Sequence, residues 1–215
     1  MRCTVLTGLG LAMLLGGSAA ADVAATATTD LNVRAGPGTQ YPVVGVLEAG
    51  SAVALGGCIE GSKWCSVNLS GVTGWAYSDY LVADLAGTQV VLTERPAELS
   101  VPTVVYEGPT AAVPAAVGGA IAGAAIGGPV GAVVGGVAGA ALGAAVDPPA
   151  EVRTYVAGNP VDPVYLDGEV VVGATLPEGV TLAPVPQYKY NYVYVNGVPV
   201  LVDPDTRRVV YIFRS

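Results

Sequence analysis

The chain has 215 residues, 52% of them hydrophobic, with 30 glycines, 16 prolines and a formal net charge of −8. That apolar content excludes a solvated, disordered chain, and 9 Lys and Arg against 17 Asp and Glu leave no basic footprint for nucleic acid. No histidine is present, which removes the commonest general base and the commonest metal ligand together.

Residues 1–21 read as a secretory signal peptide. Arg2 gives a short positive start, Val5–Leu15 an apolar run too short to span a membrane, and Ala19-Ala20-Ala21 a small-residue cleavage motif before Asp22. This reading sends the mature chain to the periplasm or elsewhere in the cell envelope. Cys3 lies near the start of the leader, away from the cleavage point, so the mature part keeps Cys58 and Cys65. An even pair in an exported chain points to a disulfide. A metal pair or a thiol nucleophile is the alternative, and the lack of histidine and of further mature cysteines weighs against it.

From Ala24 to Ala83 strand and turn signals are dense. Ala24–Thr28, Leu31–Arg34, Val43–Leu47, Ser51–Leu55, Lys63–Leu69 and Gly74–Tyr77 read as short strands. Ala35-Gly36-Pro37-Gly38 and Glu48-Ala49-Gly50 read as turns, and Gly71-Val72-Thr73-Gly74 as the last hairpin loop. Strands of this length and spacing suggest a small closed or partly closed barrel.

The runs LNVRAGPGTQYPVVGVLEAG and WCSVNLSGVTGWAYSDYL closely resemble the bacterial SH3-like (SH3b) domain. The resemblance implies a five- to six-stranded SH3-like β-barrel that serves as a binding module of the cell envelope, holding peptidoglycan or peptide. Asn32 and Arg34 fall on motif positions, where turn hydrogen bonding competes with ligand contact. Tyr41 and Trp64 are the candidates for an exposed ligand face. Trp75, in the Gly-Trp-Ala triplet, is expected to pack inward, and Tyr80 to close the barrel end on a short helical turn. Cys58 and Cys65 would lie at facing ends of two successive strands, where a cross-link would pin the hairpin.

Residues 86–113, punctuated by Pro96, Pro102 and Pro109, read as an extended linker with at most one edge strand. Residues 114–146 follow, without a charge. Gly119, Gly123, Gly127, Gly131, Gly135, Gly139 and Gly143 form an unbroken GxxxG series, which favours close helix packing. A line of residues four apart drifts by about 40° per step around a helix, so one straight helix cannot present all seven glycines on one face. A break at Gly127-Gly128-Pro129 resolves this, because Pro129 would clash in a continuous helix and suits the first position of a new one. The expectation is a glycine-zipper helical hairpin whose arms, roughly 21 and 27 Å long, fall short of a ~30 Å hydrocarbon core. It resembles glycine-zipper segments of bacterial envelope proteins and would serve membrane attachment or self-association.

After Asp147-Pro148-Pro149 a β-rich domain is expected over 147–215. Val152–Val156, Glu169–Val172 and Val180–Leu182 with Val185 are strand candidates. Tyr188, Tyr190, Tyr192 and Tyr194 alternate, so one strand face is all tyrosine, and Asn196-Gly197 is a type I′ hairpin signal. Val198–Val202 returns as the partner, with Pro199 placing it at an edge or pairing imperfectly at its start. Arg207–Phe213 completes a three-stranded meander. The run from VRTYV through YVNGVPVLVDPDTRRVVYIFR resembles a C-terminal domain of unknown function found beside bacterial SH3-like domains in exported alphaproteobacterial proteins.

The fold class is thus mainly β with a central helical segment. No nucleophile has an evident base, so no catalytic set, metal or cofactor is expected. The sequence favours a non-enzymatic envelope protein whose SH3-like domain binds wall glycan or peptide and whose zipper anchors or assembles it. A structural, membrane-associated oligomer with the SH3-like domain as a protein–protein module is the alternative.

Overall fold

A computed structural model describes residues 23–69, 71–94, 97–108 and 146–214. The expected signal peptide, the zipper glycines Gly119 to Gly143 and the helical hairpin expected on them lie outside the described residues. Eight strands form the first sheet: β1 (Val23–Ala27), β2 (Leu31–Arg34), β3 (Val43–Leu47), β4 (Ala52–Cys58), β5 (Trp64–Leu69), β6 (Val72–Tyr77), β7 (Leu81–Leu85) and β8 (Thr88–Val91). Their order is β3-β2-β6-β5-β4-β1-β7-β8.

Of the closed or partly closed barrel expected from sequence, the closed form is corrected here. The β7–β8 hairpin extends the sheet beyond β1, β3 pairs only with β2, and the two ends of the order do not pair with each other. The β2–β6 seam is a single pair, Arg34 opposite Trp75. The sheet nonetheless bends. The β4–β5 register slips between Leu55 and Gly57, and an extra residue in one strand bends it and increases its twist. The last hairpin loop is also shorter than expected, because Leu69 already pairs with Val72.

Residues 97–108 are not a free linker. A 3-10 turn at Ala97–Leu99 buries Leu99. The chain then runs extended along the end of β4, where Thr103 bridges Cys58 in parallel.

The C-terminal unit carries helix α1 (Ala150–Gly158) and strands β9 (Ala183–Pro184), β10 (Asn191–Val195), β11 (Val198–Val202) and β12 (Val209–Ile212), ordered β12-β11-β10-β9. The strand expected at Val152–Val156 is helix instead. Pro149 starts it, Glu151 lies in its first turn near the positive dipole end, and Val152 and Val156, four apart, are its buried residues. The strand expected at Glu169–Val172 is absent. These residues run irregularly through the core, with Val170 and Val171 buried. Of the strand proposed over Val180–Val185, only the two residues of β9 pair.

The three-stranded meander is present but shorter than expected, Asn191 to Ile212, with Tyr188 and Tyr190 ahead of its first strand. Asn196 at φ 54° and Gly197 at φ 79° form the two-residue turn that suits Asn-Gly. The strand carrying Pro199 is central rather than an edge. The β11–β12 register begins one residue later, at Val200, and the Pro199 carbonyl accepts from the Phe213 N–H. The tyrosine row faces α1. Tyr190 and Tyr192 are buried with Val152 and Val156, and the Tyr192 and Tyr194 hydroxyls donate to the carbonyls of Asn159 and Val156.

The main core crosses both units. Leu31, Leu55 and Leu81 of the first sheet share one cluster with Leu166, Val170, Val195 and Val209 of the C-terminal part. Burial of apolar area at about 25 cal/mol per Å² is therefore common to the two halves.

Candidate functional site

Arg34 ends β2, and its side chain is 1% exposed. A buried cation persists only with a full set of acceptors. Glu169, fully buried in the C-terminal unit, supplies the charged ones. Arg34 Nε donates to Glu169 Oε2, and Nη2 donates to Oε1 at 2.8 Å. Nη1 donates to the carbonyls of Thr39 at 2.9 Å, Tyr41 at 2.7 Å and Asn196 at 3.5 Å. Asn32 Nδ2 completes the carboxylate's shell at 2.9 Å. Asn196 is anchored in turn, its Oδ1 accepting from the Leu166 N–H and its Nδ2 donating to the Gly168 carbonyl.

Of the four residues expected to contact a ligand, Asn32 and Arg34 come together, but on Glu169. Their polar groups face a neighbouring buried carboxylate and form an inter-unit clamp. Tyr41 and Trp64 form no exposed face. Tyr41 lies over Gly36 and meets the Tyr106 ring edge-on at 5.7 Å. Trp64 is buried against the Tyr77 ring at 5.4 Å. Trp75 is buried, as the motif implied, and Tyr80 is buried in the 3-10 turn Ser78–Tyr80. The disulfide joins Cys58 and Cys65 across β4 and β5.

Sequence reasoning passed over Glu169 and gave Asn196 only a turn role. The available signal was a lone carboxylate leading the apolar run Glu169-Val170-Val171-Val172, matched by a lone guanidinium in an apolar strand.

An open groove of about 680 Å³ lies beside the clamp. One wall is the β2–β3 loop with Thr39, Gln40, Tyr41 and Pro42. The other is Tyr165, the turn from Asn196 to Pro199, Phe213 and Arg214. Arg214 reaches back to Asp30, pairing with its carboxylate at 3.5 Å and donating to its carbonyl at 3.1 Å. Because each guanidinium nitrogen of Arg34 has an acceptor, the groove offers rings, amides, hydroxyls and the partly exposed Arg214 rather than a free buried cation. That lining suits a neutral sugar or an extended peptide. Among the described residues, no cluster of three or more His, Cys, Asp or Glu could hold a metal ion, and no helix is long and apolar enough to cross a membrane.

Tyr77 sits at the same unit boundary, its hydroxyl about 3.1 Å from where a side chain on Gly168 would begin. Burial, then the Asp79 and Asp167 carboxylates, push its pKa up to about 12. The Tyr80 hydroxyl is pushed higher by burial first and then by Asp79. The folded state therefore holds these protons more tightly than the unfolded chain, whose tyrosines ionise near pH 10. Stability is full below pH 10 and falls as pH rises from 10 toward 12. Urea midpoints should hold between about pH 9 and 10 and decline between about pH 10 and 11, since free tyrosine ionises near pH 10. A Tyr77→Phe variant should show a shallower decline, and a flat profile in the parent chain would refute this account.

Two family models match the chain. One, described as "Bacterial SH3 domain", covers residues 29–82, and the other, described as "Domain of unknown function (DUF1236)", covers residues 155–214. A 66-residue stretch is 32% identical to "Putative N-acetylmuramoyl-L-alanine amidase YrvJ" of Bacillus subtilis (strain 168), covering 31% of this chain and 12% of that relative. The chain thus spans about an eighth of the length of the relative it matches. It carries a bacterial SH3 domain followed by a DUF1236 domain, and the clamp of Arg34 and Glu169 joins the two.

Proposed function

We propose that this chain is a non-enzymatic binding protein of the bacterial cell envelope, whose SH3 domain and DUF1236 domain together hold cell-wall glycan or peptide. The observation that carries this reading is the open, ring-lined groove between the two domains, with walls from both. The similarity to a relative named as an N-acetylmuramoyl-L-alanine amidase supports a wall-related ligand. The zipper segment 114–146 would tether or assemble the protein at its site of action.

The test uses the full mature chain, since the buried clamp makes an excised SH3 domain a poor surrogate. Purified peptidoglycan should retain it above a control protein of similar charge. Phe213→Ala and Tyr165→Ala should each weaken retention about two- to tenfold, the scale of one lost ring contact. Retention equal to the control, or unchanged in the double variant, rejects the groove as the site.

A further inference from the structure

A second feature meets Tyr41 through the Tyr106 ring. Residues 101–108 form an extended strap that leaves the core after Leu99 and passes across the end of β4. Among the described residues, β1 accompanies β4 as far as Leu55, which pairs with Val23. Beyond that, Cys58 turns its backbone to the strap. The Cys58 N–H donates to the Pro102 carbonyl at 2.8 Å, and the Val104 N–H donates to the Cys58 carbonyl at 3.0 Å. Gly57 is shaped for this contact. Its φ is +137°, and a Cβ there would stand 2.7 Å from the Pro102 oxygen and 2.6 Å from Val104 Cγ1, so a side chain would expel the strap.

Three residues beyond the Cys58 bridge, Tyr106 fills an aromatic notch. Its ring meets Tyr41 edge-on at 5.7 Å and Trp75 edge-on at 5.5 Å. Tyr41 and Trp75 are 7% and 8% exposed, yet neither belongs to either hydrophobic core. A Cβ on Gly36 would collide with the Tyr41 ring, so that glycine lets the ring lie flat as one wall. Between Cys58 and the notch the strap is lightly held, with Pro102, Thr103 and Val105 exposed, Val105 by 82%. Two backbone hydrogen bonds and one inserted ring are the pattern by which a peptide adds to a strand edge. Such a segment also belongs to the low-stability end of local opening.

We propose that the end of β4 at Gly57-Cys58, with the notch of Gly36, Tyr41 and Trp75, is a binding site for an extended peptide that carries an aromatic side chain three residues after the one bridging Cys58, and that residues 101–106 occupy it in cis. The strap is a built-in competitor. A partner segment with the same spacing displaces it, or fills the site when the strap lifts. This site shares Tyr41 with the ring-lined groove, but Gly36, Gly57, Cys58 and Trp75 lie outside that lining and the proposal does not rest on wall binding, so variants at Phe213 or Tyr165 and variants at Tyr106 tell the two apart.

The test is capture of a synthetic peptide of residues 100–108 by the full mature chain, read from the Trp75 indole resonance and by calorimetry. Tyr106→Ala removes the strap's own anchor. It should bind the peptide saturably and at least about tenfold more tightly than the parent chain, where the tethered strap competes at an effective concentration on the order of millimolar. Tyr106→Leu, which keeps apolar bulk, should fall between the two and guards against a solubility defect in the alanine variant. A peptide with alanine in place of its tyrosine should not bind. Equal binding to parent and variant, no binding to either folded variant, or equal binding of the alanine peptide would each overturn the proposal.

Discussion

Replacing Glu169 by alanine is expected to lower stability by about 3–5 kcal/mol, the cost of leaving a buried charge without its partner. Arg34 is the largest fully buried side chain of the described residues, and two of its three nitrogens donate to this one carboxylate. Without Glu169 the guanidinium must either stay ionised in a dry site or draw water between the domains. For a domain of this size each kcal/mol shifts the melting temperature by about 2–4 °C, so a fall on the order of 10 °C is expected. Glu169→Gln keeps an acceptor for Asn32 but not the charge, and should still lose most of that stability. The double variant Arg34→Met, Glu169→Leu removes both charges. It should recover part of the loss, because apolar replacement of a buried pair is often close to neutral. Full recovery is not expected, since the Thr39, Tyr41 and Asn196 carbonyls lose their donor. Urea denaturation with the slope held as a control decides the matter. A Glu169→Ala loss under about 1 kcal/mol would mean that the pair is hydrated and exposed, contrary to its burial.

Removing the disulfide is the second large effect. Cys58 and Cys65 are separated by seven positions and closed into a short loop. The chain-entropy account gives about 2.5 kcal/mol for so short a loop. Cys58→Ala with Cys65→Ala adds a packing loss, because both sulfurs lie in the main core. The more specific consequence is local. Both backbone hydrogen bonds that hold the strap run to Cys58, so the loosened β4 end should release residues 101–108. Limited proteolysis within 101–108 should accelerate more than cleavage elsewhere, and the denaturation midpoint should fall. If reduction leaves both unchanged, the disulfide holds neither the hairpin nor the strap.

Strands β1 to β6 of the first sheet were legible because they are short and flanked by turn residues, whereas β7 was not read and β8 only as a possible edge strand of the linker. Val43–Leu47 was read with its final limits for that reason. The meander around Asn196-Gly197 was legible because that dipeptide selects a two-residue turn. Sheet closure was not legible, because it depends on which strands meet at the seam, and a single pair there is invisible to periodicity. Helix α1 was misread because Val152–Val156 is apolar and partly β-branched. Its decisive signals were Pro149 at the start and the four-residue spacing of the buried valines. The clamp was hidden for a different reason. Arg34 and Glu169 lie 135 positions apart, and nothing local to either residue announces a partner. Tyr41 and Trp64 failed as exposed rings because burial was decided by the strap and by Tyr77, which a local reading cannot place.

The same separation has a consequence in time. Synthesis proceeds from the N-terminus at about 5–20 residues per second, so the interval between the appearance of Arg34 and that of Glu169 is roughly 7–30 s by that rate. Throughout it, the first sheet carries a cation at a site that its own strands cannot neutralise. The N-terminal half therefore completes its buried charge pair only with a residue of the C-terminal domain. Its final consolidation waits for a chain end that is made last, and the long loop between the two makes that closing step slow as well as late.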